Sequence, residues 1–208
     1  MIVRSEFLMS LKQVDCQGNT TLHLAVRSMD LVSVNEILKM KQTRINALNG
    51  ENLSAIELLL SQGPQAGNVM IGRVCEVLKT LLQHRPIPAV NRDLSIPVEH
   101  RHNQVSLGHT LYIMICNNRD RPVRWFFSHV LPRLEEELIL REFDQRFMEK
   151  SDTVLHAAVR HLHPLTAETL ISTPQLEFLN VVDSAGKTPA ERLLEKHRAL
   201  RALSLIHI

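Results

Sequence analysis

His156, His161 and His163 fall within eight residues, and closely spaced imidazoles are the side chains a transition metal favours. Pro164 follows directly and places His163 in a turn between helices, so no metal centre is expected there. His100 and His102 flank Arg101 with no cysteine or paired histidine nearby at zinc-ligand spacing. Cys116 with His109 or His129 would make a thiol dyad. A cysteine beside Ile113 and Ile115 reads instead as a small hydrophobe on a buried helix face. No nucleophile elbow, phosphate loop, dinucleotide fingerprint or H-E-x-x-H occurs. The chain is expected to hold no catalytic residue, no metal and no cofactor.

Charge and aromatic groups offer contact chemistry rather than bond chemistry. Arg119, Arg121, Arg124 and Arg133 surround Trp125, the single tryptophan. This cluster either contacts an acidic partner or balances Glu135, Glu136 and Glu137, and ordinary charge balance is the simpler reading. Trp125, Phe126 and Phe127 are consecutive, so at least one of them is expected to be exposed as an anchor for a partner.

The strongest signal is internal repetition. Thr20-Thr21-Leu22-His23-Leu24-Ala25-Val26-Arg27 aligns with Thr153-Val154-Leu155-His156-Ala157-Ala158-Val159-Arg160. Asp15-Cys16-Gln17-Gly18-Asn19-Thr20 parallels Asp183-Ser184-Ala185-Gly186-Lys187-Thr188, and a weaker start is Asn49-Gly50-Glu51-Asn52-Leu53-Ser54. Asp15 and Gly18 suit a tight turn, where Asn52 replaces glycine less easily. Thr20, Ser54, Thr153 and Thr188 stand where a hydroxyl caps a helix, and Pro189 fits a first helical position. These patterns resemble the ankyrin repeat, a helix-turn-helix unit of about 33 residues. The resemblance implies that His23 and His156 tie neighbouring turns together through side-chain hydrogen bonds. It also implies that Ala25 and Ala158 allow close helix approach.

The elements that carry these groups follow from spacing. Leu22, Ile56, Leu111, Leu155 and Ala190 occupy equivalent positions, 34, 55, 44 and 35 residues apart. The two long intervals carry inserts: a loop at 85–106, where Pro86, Pro88 and Pro97 lie, and a helical extension over 133–148. Val74, Val77, Leu78, Leu81 and Leu82 form a one-sided helical stripe. Val123, Phe126, Phe127, Val130, Leu131 and Leu134 repeat it, and Pro132 should kink or end that helix. No alternating strand pattern of useful length occurs. The expected fold is all-α, an ankyrin-repeat-like helical solenoid of about five units in one domain, residues 1–202. The units lie near 15–48, 49–84, 104–147, 148–182 and 183–202. Residues 203–208 read either like a translated sequencing-adaptor end, which would make them foreign to the natural chain, or like the apolar end of a last helix carrying Leu200, Leu203 and Ile206.

Composition narrows the role. The 208 residues carry 24 Lys plus Arg against 22 Asp plus Glu, a net +2 that gives no electrostatic case for a nucleic-acid or membrane-surface binder. Three cysteines at wide spacing fit a reducing compartment, and the expected location is cytoplasmic, or the host cytosol for a delivered effector. The expected function is a monomeric, non-catalytic scaffold that binds an unidentified protein partner on the concave face of the solenoid. The family binds through positions that here are Cys16, Gln17, Asn19, Arg27 and Ser28, then Gly50, Glu51, Leu53, Ser61 and Gln62. The fourth unit supplies Glu149, Lys150, Asp152, Arg160 and His161, and the fifth Ser184, Ala185, Lys187, Glu195 and Lys196. The alternative is a targeting fragment of a larger bacterial effector whose catalytic or degradation-linked domain lies elsewhere.

Overall fold

The computed structural model describes residues 14–40, 43–65, 68–84, 107–143, 153–173 and 180–196. Over these residues the protein is all-α, and the extended pairing among them is one isolated antiparallel bridge between Val14 and Thr20. None of the described helices is long and apolar enough to cross a membrane. The sequence reading places the repeats in one domain; the chain divides into two compact units, Met1–Val105 and Ser106–Ile208. The insert loop at 85–106 and the segment 203–208 fall outside the described residues.

In the first unit, α1 (Thr21–Arg27) and α2 (Leu31–Leu38) form one hairpin. The next is α3 (Ala55–Gln62) and α4 (Asn68–His84), joined through a 3-10 turn at Gly63–Gln65. First helix packs on first helix and second on second, α1 against α3 and α2 against α4. Leu22 and Val26 of α1, Val34 and Ile37 of α2, and Ile56, Leu59 and Leu60 of α3 are buried. All five members of the α4 stripe join them. Each such aliphatic side chain contributes about 1.5–3 kcal/mol when fully removed from water.

The second unit repeats the arrangement. It contains α5 (Leu107–Cys116), α6 (Asp120–Trp125), α7 (Glu136–Glu142), α8 (Val154–Arg160), α9 (Pro164–Ile171) and α10, residues 189–196. Here α5 packs on α8 and α6 on α9. α6 passes through a π turn at Phe126–Val130 and a 3-10 turn at Leu131–Arg133, so the helix ends around Pro132 as its ring demands. The expected helical extension over 133–148 is corrected at its start, and its residues 144–148 lie outside the described residues. Leu134 and Glu135 are extended, with ψ 153° and 138°, and α7 begins afresh behind them. Its Glu142 is buried, and the carboxylate accepts the Leu107 N–H at 2.9 Å, closing the start of α5. Phe143 brings its ring within 6.0 Å of Phe127 and 6.5 Å of Phe126. Cys116 is half-buried rather than buried, because it is the last residue of α5; Cys75 is the buried cysteine.

Two local devices recur. The first is a turn ahead of a helix, made at Asp15, Asn49 and Asp183. Each of these donates its N–H to the carbonyl four residues on, at 3.0, 2.9 and 2.9 Å. Each side chain accepts two N–H groups: those of Gln17 and Asn19, of Glu51 and Leu53, and of Ala185 and Lys187. The fourth residue is left-handed in every case, Gly18 at φ +74°, Asn52 at +56° and Gly186 at +73°. Asparagine enters that region more readily than other side-chain-bearing residues, so Asn52 can stand in for glycine.

The second device closes the hairpins. After α1, α5 and α8, Met29, Asn118 and Leu162 are left-handed at φ 53–57°. The N–H that follows reaches back to Ala25, Met114 and Ala158 at 3.1, 2.8 and 2.9 Å. This is the Schellman termination, which satisfies carbonyls left over at a helix end. It marks α5–α6 as the same kind of hairpin as α1–α2 and α8–α9.

Candidate interaction surface

Thr20, Ser54 and Thr153 each cap a helix, and each in return donates its own N–H to the side chain of the third helical residue. At Thr20 that residue is His23. Its Nδ1 accepts the Thr20 N–H at 3.2 Å and lies 2.8 Å from the Thr20 hydroxyl. Since Nδ1 accepts, the ring proton sits on Nε2, which donates to the Leu53 carbonyl at 2.9 Å. His156 has the same geometry, with Thr153 at 3.2 and 2.9 Å and the Lys187 carbonyl at 3.0 Å. A hydroxyl at this distance from an imidazole is also the spacing of a nucleophile and its base. Here His23 is 1% exposed and Thr153 2%, and each hydroxyl accepts a helix N–H, so the pair closes a helix. Desolvation holds the His23 imidazole below its ordinary value, against the opposing Leu53 bond and the Asp15 charge.

These caps hold the turns in place and leave their outer atoms in solvent. Cys16, Gln17, Arg27 and Ser28 are exposed. The Arg27 Nη1 donates to Gln17 Oε1 at 3.3 Å, so the turn and the end of α1 share one polar patch. The Ser28 hydroxyl donates to the Ala25 carbonyl at 3.0 Å. Gly50 and Glu51 are exposed on the second turn, while Ser61 and Gln62 are half-buried.

Asn19 and Leu53 are corrections. Asn19 is 3% exposed, donates to the Asp15 carboxylate at 3.0 Å and accepts from Asn49 at 2.9 Å. It joins two turns and presents little to a partner. Leu53 is 4% exposed because its carbonyl must reach His23.

In the second unit the structure brings Arg160, His161 and Lys196 together. The Arg160 Nη1 donates to the Tyr112 hydroxyl at 2.9 Å, and the Lys196 ammonium donates to the Arg160 carbonyl. Desolvation first, then the positive charges of His163, Arg160 and Lys196, hold His161 below its ordinary value. Ser184 and Ala185 are exposed on the third turn. Lys187 pairs with Glu195, which also meets Arg192 at 3.4 Å. The Arg192 side chain, with the Lys187 and Ala185 N–H groups, holds the Asp183 carboxyl well below the usual carboxylate range. Glu149, Lys150 and Asp152 lie outside the described residues.

Tyr112 is the residue the sequence reading passes over. Its signal was available, as the single tyrosine of the chain and the neighbour of Leu111, but the third unit lacks the turn motif that would assign it a position. Trp125 is half-buried and stacks on His129 at 5.8 Å, while Phe126 and Phe127 are buried. Among the described residues no group of three or more His, Cys, Asp or Glu is placed to hold a metal ion. No protein-family model matches the chain, and comparison with curated proteins finds no match.

Proposed function

We propose that this chain is a non-catalytic protein-interaction module of degenerate ankyrin-type repeats in a helical solenoid. In this reading it binds a partner protein through its turns and the adjoining ends of first helices. The reading rests above all on the recurrence of one turn at Asp15, Asn49 and Asp183 with the same bonds and left-handed fourth residue. A device kept at this fidelity fixes the backbone while leaving the side chains between its fixed points open to vary. Gln17, Arg27, Ser28, Glu51, Arg160, His161, Ser184 and Lys187 are the contact residues in this proposal.

Immobilised chain used to capture partners, identified by mass spectrometry, supplies the ligand for the test. Gln17→Ala, Arg27→Ala, Arg160→Ala and Lys187→Ala should then weaken binding. Exposed polar changes shift stability by no more than about 0.5 kcal/mol, so thermal melts should barely move. Unchanged affinity in all four, with loss on Trp125→Ala or Arg124→Ala, would move the site to the flank of α6.

A further inference from the structure

Between the π turn that follows α6 and the C-terminal end of α9 lies a groove of about 350 Å³. Phe127, Ser128, Glu168, Thr169, Ser172 and Thr173 line it. Ser128 apart, its polar side chains are acceptors. The Thr169 hydroxyl donates to the Leu165 carbonyl at 2.8 Å, Ser172 to Glu168 at 2.9 Å, and Thr173 to Thr169 at 2.8 Å. With their hydrogens so occupied, these three hydroxyls have only lone pairs left to offer a ligand. Glu168 adds an exposed carboxylate, and no Lys, Arg or His is among the described lining residues.

The helix end adds a further negative contribution. A helix C-terminus carries the equivalent of about half a negative charge. α9 has no basic residue in its last turn to offset this, as α2, α3 and α5 also have none. A carboxylate, three acceptor hydroxyls and a helix end with no basic residue in its own last turn therefore converge on one groove. The opposite wall is a π turn, a departure from regular helix that recurs at functional sites.

We propose that this groove binds the guanidinium of an arginine carried by a partner protein. Five N–H donors in a planar fork match several acceptors at once. An anion would meet the Glu168 carboxylate and, apart from the Ser128 hydroxyl, side-chain groups with only lone pairs to offer. The groove lies between second helices, away from the turns, so the assignment does not depend on the interaction surface proposed above.

The isotope-labelled full chain, titrated with acetyl-Gly-Arg-Gly-amide, should show amide shifts at Ser128, Thr169, Ser172 and Thr173. The citrulline peptide keeps the shape without the charge and should bind roughly fivefold more weakly, and the glutamate peptide should not bind. Raising the ionic strength should weaken the arginine peptide. Glu168→Gln should lower its affinity by about fivefold with an unchanged melt, because Glu168 is exposed. Silent amides at these positions, equal shifts with citrulline or glutamate, salt-independent binding, or undiminished affinity in Glu168→Gln would each overturn the assignment. Binding through the turns would survive that result.

Discussion

The His23 ring accepts from Thr20 on one side and donates to Leu53 on the other, so a second ring proton would face the Thr20 N–H. Protonation and the native bonding pattern are therefore incompatible. Because the folded value lies below the ordinary 6.5, the unfolded chain binds the extra proton first as pH falls. The contribution of His23 to stability is present above about pH 6.5 and is lost as pH drops through that value toward the folded one. Melting curves from pH 8 to about 5 should show a steeper loss in the native chain than in His23→Asn, which is weaker throughout but flatter. Parallel curves would remove the imidazole as the cause. Much of this residue chemistry was legible in the sequence. Asp15 and Thr20 act on neighbours within a few positions, so their types reveal their roles, while the 30-residue reach of His23 was legible only through the repeat that its segment resembles. Asn19 was not legible, because its burial depends on Asn49, thirty residues away.

Among the elements, the turns divide by what lies beside them. A Cβ on Gly18 would stand 2.7 Å from the Gly50 nitrogen, and one on Gly50 would stand 2.5 Å from the Gln17 oxygen. That closeness lets the Gly50 N–H reach the Gln17 carbonyl at 2.8 Å. Gly186 has the same backbone angle with nothing within 4 Å. Gly186→Ala should cost only the left-handed conformation, about 1–2 kcal/mol. Gly18→Ala should cost clearly more, since backbone must also move; equal losses in chemical denaturation would refute the difference. The hairpins show why sequence reading weakened at the third unit. Met29, Asn118 and Leu162 do one geometric job with three unlike side chains, so no residue code announces it. The break before α7 was hidden for a related reason. Glu135, Glu136 and Glu137 favour helix locally, and the partner that orients this segment, Leu107, is far back in the chain.

For the molecule as a whole, each unit has its own buried core, with Leu22 3% exposed in one and Leu155 1% in the other. Either leucine replaced by alanine should cost about 2–5 kcal/mol through the cavity it leaves. In the double variant the two losses should add to within about 0.5 kcal/mol, and a larger coupling would show that the cores share neighbours. The histidine bonds carry a consequence for the chain as it is made. The Nε2 of His23 finds its acceptor 30 residues downstream and that of His156 finds its own 31 downstream. At 5–20 residues per second, a ribosome takes roughly 1.5–6 s to supply that carbonyl. Until then a newly formed helix pair holds an imidazole donor in waiting, with its flank open to solvent and to passing chaperones. Synthesis thus gives these hairpins an order of completion in time: each is finished by the arrival of the turn behind it.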